Sequence, residues 1–227
     1  MSVELPPDLA GALAEPPRPQ RAFSWKPAGW RTEMHDLPEV LEVLEALPDK
    51  VDRTLIRETV LAELAAGRVL PAFVSAMVWG YGDAGYGATR VRWVLTGIKD
   101  GAHGAPVRSD VAGLLGVAVN RVRAEGPVEG FRFMSNAGRI KHLASAFFTK
   151  WLYFSSALAS PDDPNAAPIL DKRVHDWLED RANLTLDISR THEYQRYLDA
   201  LTSWGEAFGR TAVQVEKAIF GLATGRD

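Results

Sequence analysis

Two side chains in the stretch 143–174, LASAFFTKWLYFSSALASPDDPNAAPILDKRV, have the types and setting that covalent chemistry needs: Lys150 and Asp171. From Leu143 to Pro161 the only charged side chain is Lys150, and Trp151, Leu152, Tyr153, Phe154 and Leu158 follow it. A segment that is apolar nearly all round predicts a buried helix, here starting near Thr149. Burying an ammonium is costly unless it is paired, and desolvation favours the neutral amine, the nucleophilic form of lysine. Twenty-one residues later, after a loop rich in Pro, Asn and Asp, the apolar run Pro168-Ile169-Leu170 ends on Asp171, a carboxylate able to face the lysine. Two plainer readings stay open. Lys150 can extend its amine to water along its apolar stem, and Asp171 can serve only as the N-cap of a helix over 172–180.

Other constellations are weaker. The five histidines are scattered, with no HExxH, and the chain has no cysteine, which excludes disulfides, thiolate metal sites and a cysteine-held iron–sulfur cluster; no metal site is expected. There is no Ser–His–Asp signature and no phosphate loop carrying a lysine. The run WGYGDAGYG contains Gly80-x-Gly82-x-x-Gly85, and Asp100 lies twenty residues beyond Gly80, which is dinucleotide-fingerprint spacing. Its surroundings read as helical and no second β/α unit follows, so no nucleotide cofactor is expected. A tight loop that brings backbone close to a substrate, or a plain helix connection, suits these glycines better. Asp162 and Asp163 are a carboxylate pair of the kind that serves glycosidic chemistry, but they sit in a turn-like segment and read as solvated.

The elements that must position Lys150 and Asp171 follow from periodicity and punctuation. At 227 residues the chain can bury one substantial core, as a single domain or two helical lobes over 32–227. Residues 1–31 hold Pro6, Pro7, Pro16, Pro17 and Pro19 and predict an extended arm, pinned by Phe23, Trp25 and Trp30. Asp36-x-x-Glu39 predicts a capping box opening a helix to Leu47, and a second helix follows over 50–66. An apolar segment begins at Pro71, a helix covers 86–96 up to Gly97, and another runs from Ser109 to Arg123. Residues 126–135 read as a link, and 137–143, with Arg139 and Lys141, as the helix that leads into the lysine segment. Two helices, 191–208 and 211–222, close the chain, the last opened by a Thr211-x-x-Gln214 box. Net charge is −3, yet Arg121 to Lys150 holds Arg121, Arg123, Arg132, Arg139, Lys141 and Lys150 against two glutamates. A local basic surface on a mildly acidic chain suits selective DNA binding, and a solvated helix face suits it nearly as well. Lys172 and Arg173 oppose the dipole at the start of their helix, which a phosphate bound there would relieve. No apolar run reaches membrane-spanning length and the N-terminal residues lack a basic segment before a hydrophobic one, so a soluble cytoplasmic protein is expected.

FFTKWLYF followed by ILDKRV resembles the helix–hairpin–helix DNA glycosylases, most closely the bacterial proteins described as 8-oxoguanine DNA glycosylase-like. That family places a lysine at the second hairpin helix and an aspartate at the next helix start about twenty residues on, and Lys150 and Asp171 match both positions. The likeness departs where the family hairpin has glycines four and two residues before the lysine; here they are Ala146 and Phe148. The resemblance implies an all-α fold, a helix–hairpin–helix glycosylase core with a Pro-rich N-terminal arm and without the large β-rich domain of longer relatives. It implies Lys150 as nucleophile and Asp171 as its partner, with Arg173 on the DNA backbone, where the basic Arg139, Lys141 and Lys172 that flank the pair are also expected. Trp79, Gly80, Tyr81 and Arg90 would line the base pocket or DNA groove, and Trp204 or Phe208 would stack on the extruded base. The implied partner is double-stranded DNA with a modified base, bound by a monomer without cofactor. Excision of 8-oxoguanine with strand cleavage, removal of a hypermodified phage base in antiviral defence, and a non-catalytic helical DNA-binding module are the rival readings.

Overall fold

The computed structural model describes residues 3–17 and 20–225; Pro19 of the proline-rich arm lies outside them. The architecture is all-α. Helices α1 (Pro7–Ala14), α2 (Pro27–Glu33), α3 (Pro38–Ala46), α4 (Arg53–Ala65), α5 (Val69–Tyr81) and α6 (Gly87–Thr96) precede a 3-10 turn at Ala102–Gly104. Helices α7 (Val111–Glu125), α8 (Pro127–Ser135), α9 (Ser145–Ser156), α10 (Lys172–Ala182), α11 (Thr191–Glu206) and α12 (Ala212–Thr224) follow. The only strands among the described residues, β1 (Phe23–Ser24) and β2 (Lys50–Val51), form a two-residue antiparallel ladder pairing Phe23 with Val51.

Two apolar helices cross at the centre. In α5 every residue from Pro71 to Trp79 is buried, and in α9 every residue from Phe148 to Ser156 is. A helix without a polar stripe can satisfy its surface only inside other elements, and α9 packs against α4, α5, α7 and α8. Edge-on aromatic pairs lock the crossing: Phe73 to Trp151 at 5.7 Å and Trp79 to Phe154 at 5.1 Å. At the C-terminal end of α9, Arg57 donates to the carbonyls of Ala157 and Leu158, and Arg123 to that of Ser155. Cations there complement the helix dipole and satisfy carbonyls that α9 leaves open.

Several local expectations give way to tertiary partners. The arm is not extended throughout. Pro7 stands at the N-terminus of α1, where its fixed φ suits a helix, and Leu9 and Leu13, one turn apart, are buried against α12. Asp36 caps nothing: Leu37 occupies the N-cap of α3 without a side-chain bond, and the Asp36 carboxylate holds the buried Arg92 guanidinium at 2.6 and 2.9 Å. Arg92 also donates to the carbonyls of Ala102 and Ala105, so the loop after Gly97 is tied down. Residues 137–143 form turns, not a helix, so the hairpin consists of α8, a turn and α9. Gly138 explains the difference, since a Cβ there would fall 2.1 Å from the Phe133 ring, and the turn folds back on the end of α8. Helix α9 starts at Ser145, before Thr149, and the helix predicted to begin at residue 50 starts at Arg53, capped by Asp52. Asp163 is buried and accepts the amides of Ala159 and Asn165, while Asp162 binds Lys217 at 2.7 Å; neither is a freely solvated carboxylate.

Candidate active site

Lys150 lies in the second turn of α9, 5% exposed. Its stem crosses the last turn of α5 at Gly80, where a Cβ would come within 2.9 Å of Lys150 Cδ. Real Cβ contacts are not that short, so the absence of a side chain at residue 80 makes the lysine's seat. One turn before it on α9, Phe147 faces the ammonium with its ring centre 5.3 Å from Nζ. Tyr81 stacks flat on Phe147 at 4.1 Å and 20°. The Nζ atom donates to the Ala146 carbonyl at 3.0 Å and to Asp171 Oδ2 at 2.9 Å. Lys150 therefore does not reach for bulk water.

Asp171 divides its two oxygens between two tasks. Oδ1 accepts the amides of Arg173 (3.0 Å) and Val174 (3.2 Å), which makes it the N-cap of α10, while Oδ2 takes the lysine. The cap reading and the ion-pair reading are both realised. Burial pushes the Asp171 carboxyl up, but the charge and hydrogen bond of Lys150 and the two amides outweigh it, and the group titrates below the usual carboxylate value of 3.8. At neutral pH it is ionised.

The strand-like approach to Asp171 is strapped from both sides. Thr149 Oγ1 accepts the Leu170 amide (3.3 Å) and Ser156 Oγ the Ala167 amide (3.0 Å), both from α9. From α11, Tyr194 donates to the Pro168 carbonyl (2.8 Å) and Tyr197 to that of Ile169 (2.7 Å). An extended segment inside a core has no ladder to satisfy its polar groups, so side-chain hydroxyls do it and fix the position of the aspartate. Nothing in local periodicity marks Thr149, Ser156, Tyr194 or Tyr197 for this role. Phe147 was legible in principle, three residues before the lysine on one helix face.

The remaining predicted residues scatter by geometry. Gly80 and Tyr81 border the lysine, but Trp79 points into the core, donating from Nε1 to Gln20 Oε1 and packing on Phe154. Consecutive helix residues face directions about 100° apart, so three neighbours cannot line one pocket. Arg90 lies exposed on α6 beside Tyr86 and Trp93. Trp204 is buried with its indole donating to Val3 O; Phe208, half-buried, lies past the end of α11. The α11 side chains that approach the site are Tyr194 and Tyr197, about three and two turns before Trp204. Arg139 and Lys141 are exposed in the hairpin turn and Arg173 is exposed on the first turn of α10; none has a carboxylate at ion-pair distance among the described residues. Lys172 does, bound to Asp176 one turn on at 2.6 Å. The phosphate seat imagined at this helix start is thus partly taken, because Asp171 holds two amides and Asp176 holds one of the two cations. Phe148, where the family hairpin has a glycine, packs edge-on against Phe131 at 4.9 Å and joins α8 to α9.

Among the described residues no cluster of His, Cys, Asp or Glu could hold a metal ion, and no helix is long and apolar enough to cross a membrane. Residues 16–220 match the family model described as "Putative 8-oxoguanine DNA glycosylase OGG-like protein". No curated protein and no solved structure gives a significant match.

Proposed function

The chain belongs to the 8-oxoguanine DNA glycosylase OGG-like family, and from that premise we propose that Lys150 is the nucleophile of a glycosylase that also cleaves the strand. Membership makes the protein a DNA glycosylase at the coarse level; the chemical type, the base and the residue roles are our reading. The observation that carries it is the 2.9 Å contact between a buried lysine amine and an ionised carboxylate. An arginine could not serve there, since only an ammonium can give up its proton. In the proposed reaction a modified nucleotide is extruded from the duplex toward Gly80 and Tyr81. A proton leaves Lys150 through Asp171 Oδ2, and the freed lone pair bonds to the anomeric carbon. The electron pair of the carbon–nitrogen glycosidic bond leaves with the base, which takes up the proton. Asp171, ionised again, stabilises the cationic sugar. Ring opening gives a Schiff base on Lys150, from which the strand breaks 3′ to the site.

Borohydride trapping tests this over a panel of duplex oligonucleotides carrying 8-oxoguanine, other oxidised bases and hypermodified pyrimidines. A covalent protein–DNA adduct on at least one member, lost in Lys150→Gln, is the expected result. Which member traps decides between repair of oxidised DNA and attack on modified phage DNA. Binding without an adduct on any member would make Lys150 a phosphate contact and the protein a DNA-binding module.

A further inference from the structure

Helix α6 presents a row of side chains that the chemistry at Lys150 does not use. Tyr86, at its N-cap, is 61% exposed. The Arg90 guanidinium lies 5.5 Å from the Tyr86 ring centre and 5.6 Å from that of Trp93. The Lys99 ammonium sits 5.4 Å from Trp93, and His142 of the hairpin turn meets the same indole edge-on at 6.2 Å. Positions 86, 90 and 93 share one helix face, so ring and cation alternate along it: Tyr86, Arg90, Trp93, Lys99. His142 adopts φ 68°, a conformation that side chains rarely take. The row starts where the site ends, since Tyr86 meets Tyr81 at 6.1 Å and Tyr81 stacks on Phe147 beside Lys150.

The combination of unpaired charge and ring distinguishes this face. Arg108, Arg121, Arg132 and Arg196 are each neutralised by a carboxylate, Asp110, Glu125, Glu129 and Glu193 in turn, and the exposed, unpaired Arg139 and Arg173 lie on no aromatic ring among the described residues. Arg90, Lys99 and Lys141 have no carboxylate at ion-pair distance among the described residues; Arg90 and Lys99 lie on rings instead. We propose that this row is a stacking platform for unpaired nucleotides of the DNA strand, adjoining the nucleotide held at Lys150. A nucleobase offers a π face to the rings, and its phosphate offers charge to the cations, whatever the sequence. A paired duplex presents base edges in its grooves and phosphates outside, and leaves no base face free for Tyr86. The inference rests on the reading of Lys150 as the site of a DNA glycosylase, and it adds a preference for DNA already opened beside the target.

The test uses the full chain and labelled oligonucleotides of normal bases: an intact duplex, and the same duplex with a short unpaired bubble, compared by fluorescence anisotropy at one salt concentration. The bubble should bind about 10-fold more tightly than the duplex. Tyr86→Ala should remove about 10-fold of bubble affinity and leave duplex affinity unchanged. Tyr86→Trp should keep the preference, and Arg90→Ala should weaken it. Because Tyr86 is mostly in solvent, these variants retain the core, which a thermal melt verifies. Equal affinity for the two DNAs, or a Tyr86→Ala variant that weakens both alike, would overturn the platform. Borohydride trapping on the wild-type chain separates this from the nucleophile reading. A bubble preference without any adduct removes the nucleophile and keeps the platform, and an adduct without the preference does the reverse.

Discussion

Arg53–Glu216 and Lys150–Asp171 both join buried side chains of opposite charge, and their construction could hardly differ more. Arg53 meets Glu216 through two nitrogens, at 2.8 and 3.1 Å, with the partners 4% and 1% exposed. Its guanidinium is layered between Trp79 (5.0 Å) and Tyr153 (4.7 Å), and it ties α4 to α12. Burial works against the arginine's charge, but Glu216 raises it well above its ordinary range, so no proton is available. Lys150 meets Asp171 through a single contact at the 15% exposed edge of the core, and its stem rests in a groove left by a glycine. One pair is a cross-link that holds still. The other has a transferable proton, a ring on one side and a carboxylate that keeps some contact with solvent. Burial and charge complementarity alone therefore do not identify a reactive site; the kind of cation and the freedom of its contacts do.

The largest expected effect separates the two pairs outright. Lys150→Gln should abolish the trapped adduct and lower base release on the order of 10^3-fold or more, with DNA binding retained. Arg53→Met should do the opposite, costing about 3–5 kcal/mol of folding stability by leaving Glu216 buried and unpaired, while the folded fraction traps DNA at the normal rate. Urea denaturation and trapping on the same preparations check both. If the double variant Arg53→Met, Glu216→Leu recovers most of that loss, the pair is a structural cross-link whose absence the core tolerates.

Asp171→Asn keeps the cap, and the cap by itself would predict a loss below about 1 kcal/mol. The structure adds a buried ammonium that loses its charged partner, which raises the expected cost to about 1–3 kcal/mol, and base release should fall about 100-fold. The pH dependence has a definite sign. Asp171 titrates lower in the folded chain than its ordinary 3.8, so its stabilisation is complete above that pH and is lost as pH falls through the lower, folded value. Acid-unfolding curves of wild type and Asp171→Asn should converge at the acid end of that window.

Gly80→Ala sharpens the contrast in a smaller way, since the arginine pair has no such seat. Alanine favours a helix interior by about 0.5–1 kcal/mol over glycine, and the atom it would strike belongs to the flexible lysine stem. The lysine gives way and the fold does not. Trapping should fall about 10-fold with stability unchanged or improved, as displacement of a reacting group by a fraction of an ångström can do. The smallest effect belongs to Arg173→Ala, which should lower the slope of log affinity against log salt by about 0.9 and weaken binding to modified and normal duplex alike.

Features written in a few neighbouring residues were legible in the sequence. The burial of α9 follows from its lack of a polar stripe, the isolation of Lys150 within it from simple inspection, and the starts of α10 and α12 from Asp171 and the Thr211–Gln214 box, which the structure forms in full. Each depends on periodicity or capping, interactions that reach only one helical turn. Which neighbour faces the lysine was not so written. Trp79, Gly80 and Tyr81 differ in direction by about 100° each, so the docking angle of α5 on α9 chose Gly80 and Tyr81 and sent Trp79 to Phe154 and Gln20. The same competition drew Asp36 from its expected cap to Arg92 and Trp204 to the backbone of Val3. A polar group or aromatic ring satisfies its strongest available partner, and partners distant in the chain become available only when the helices have packed.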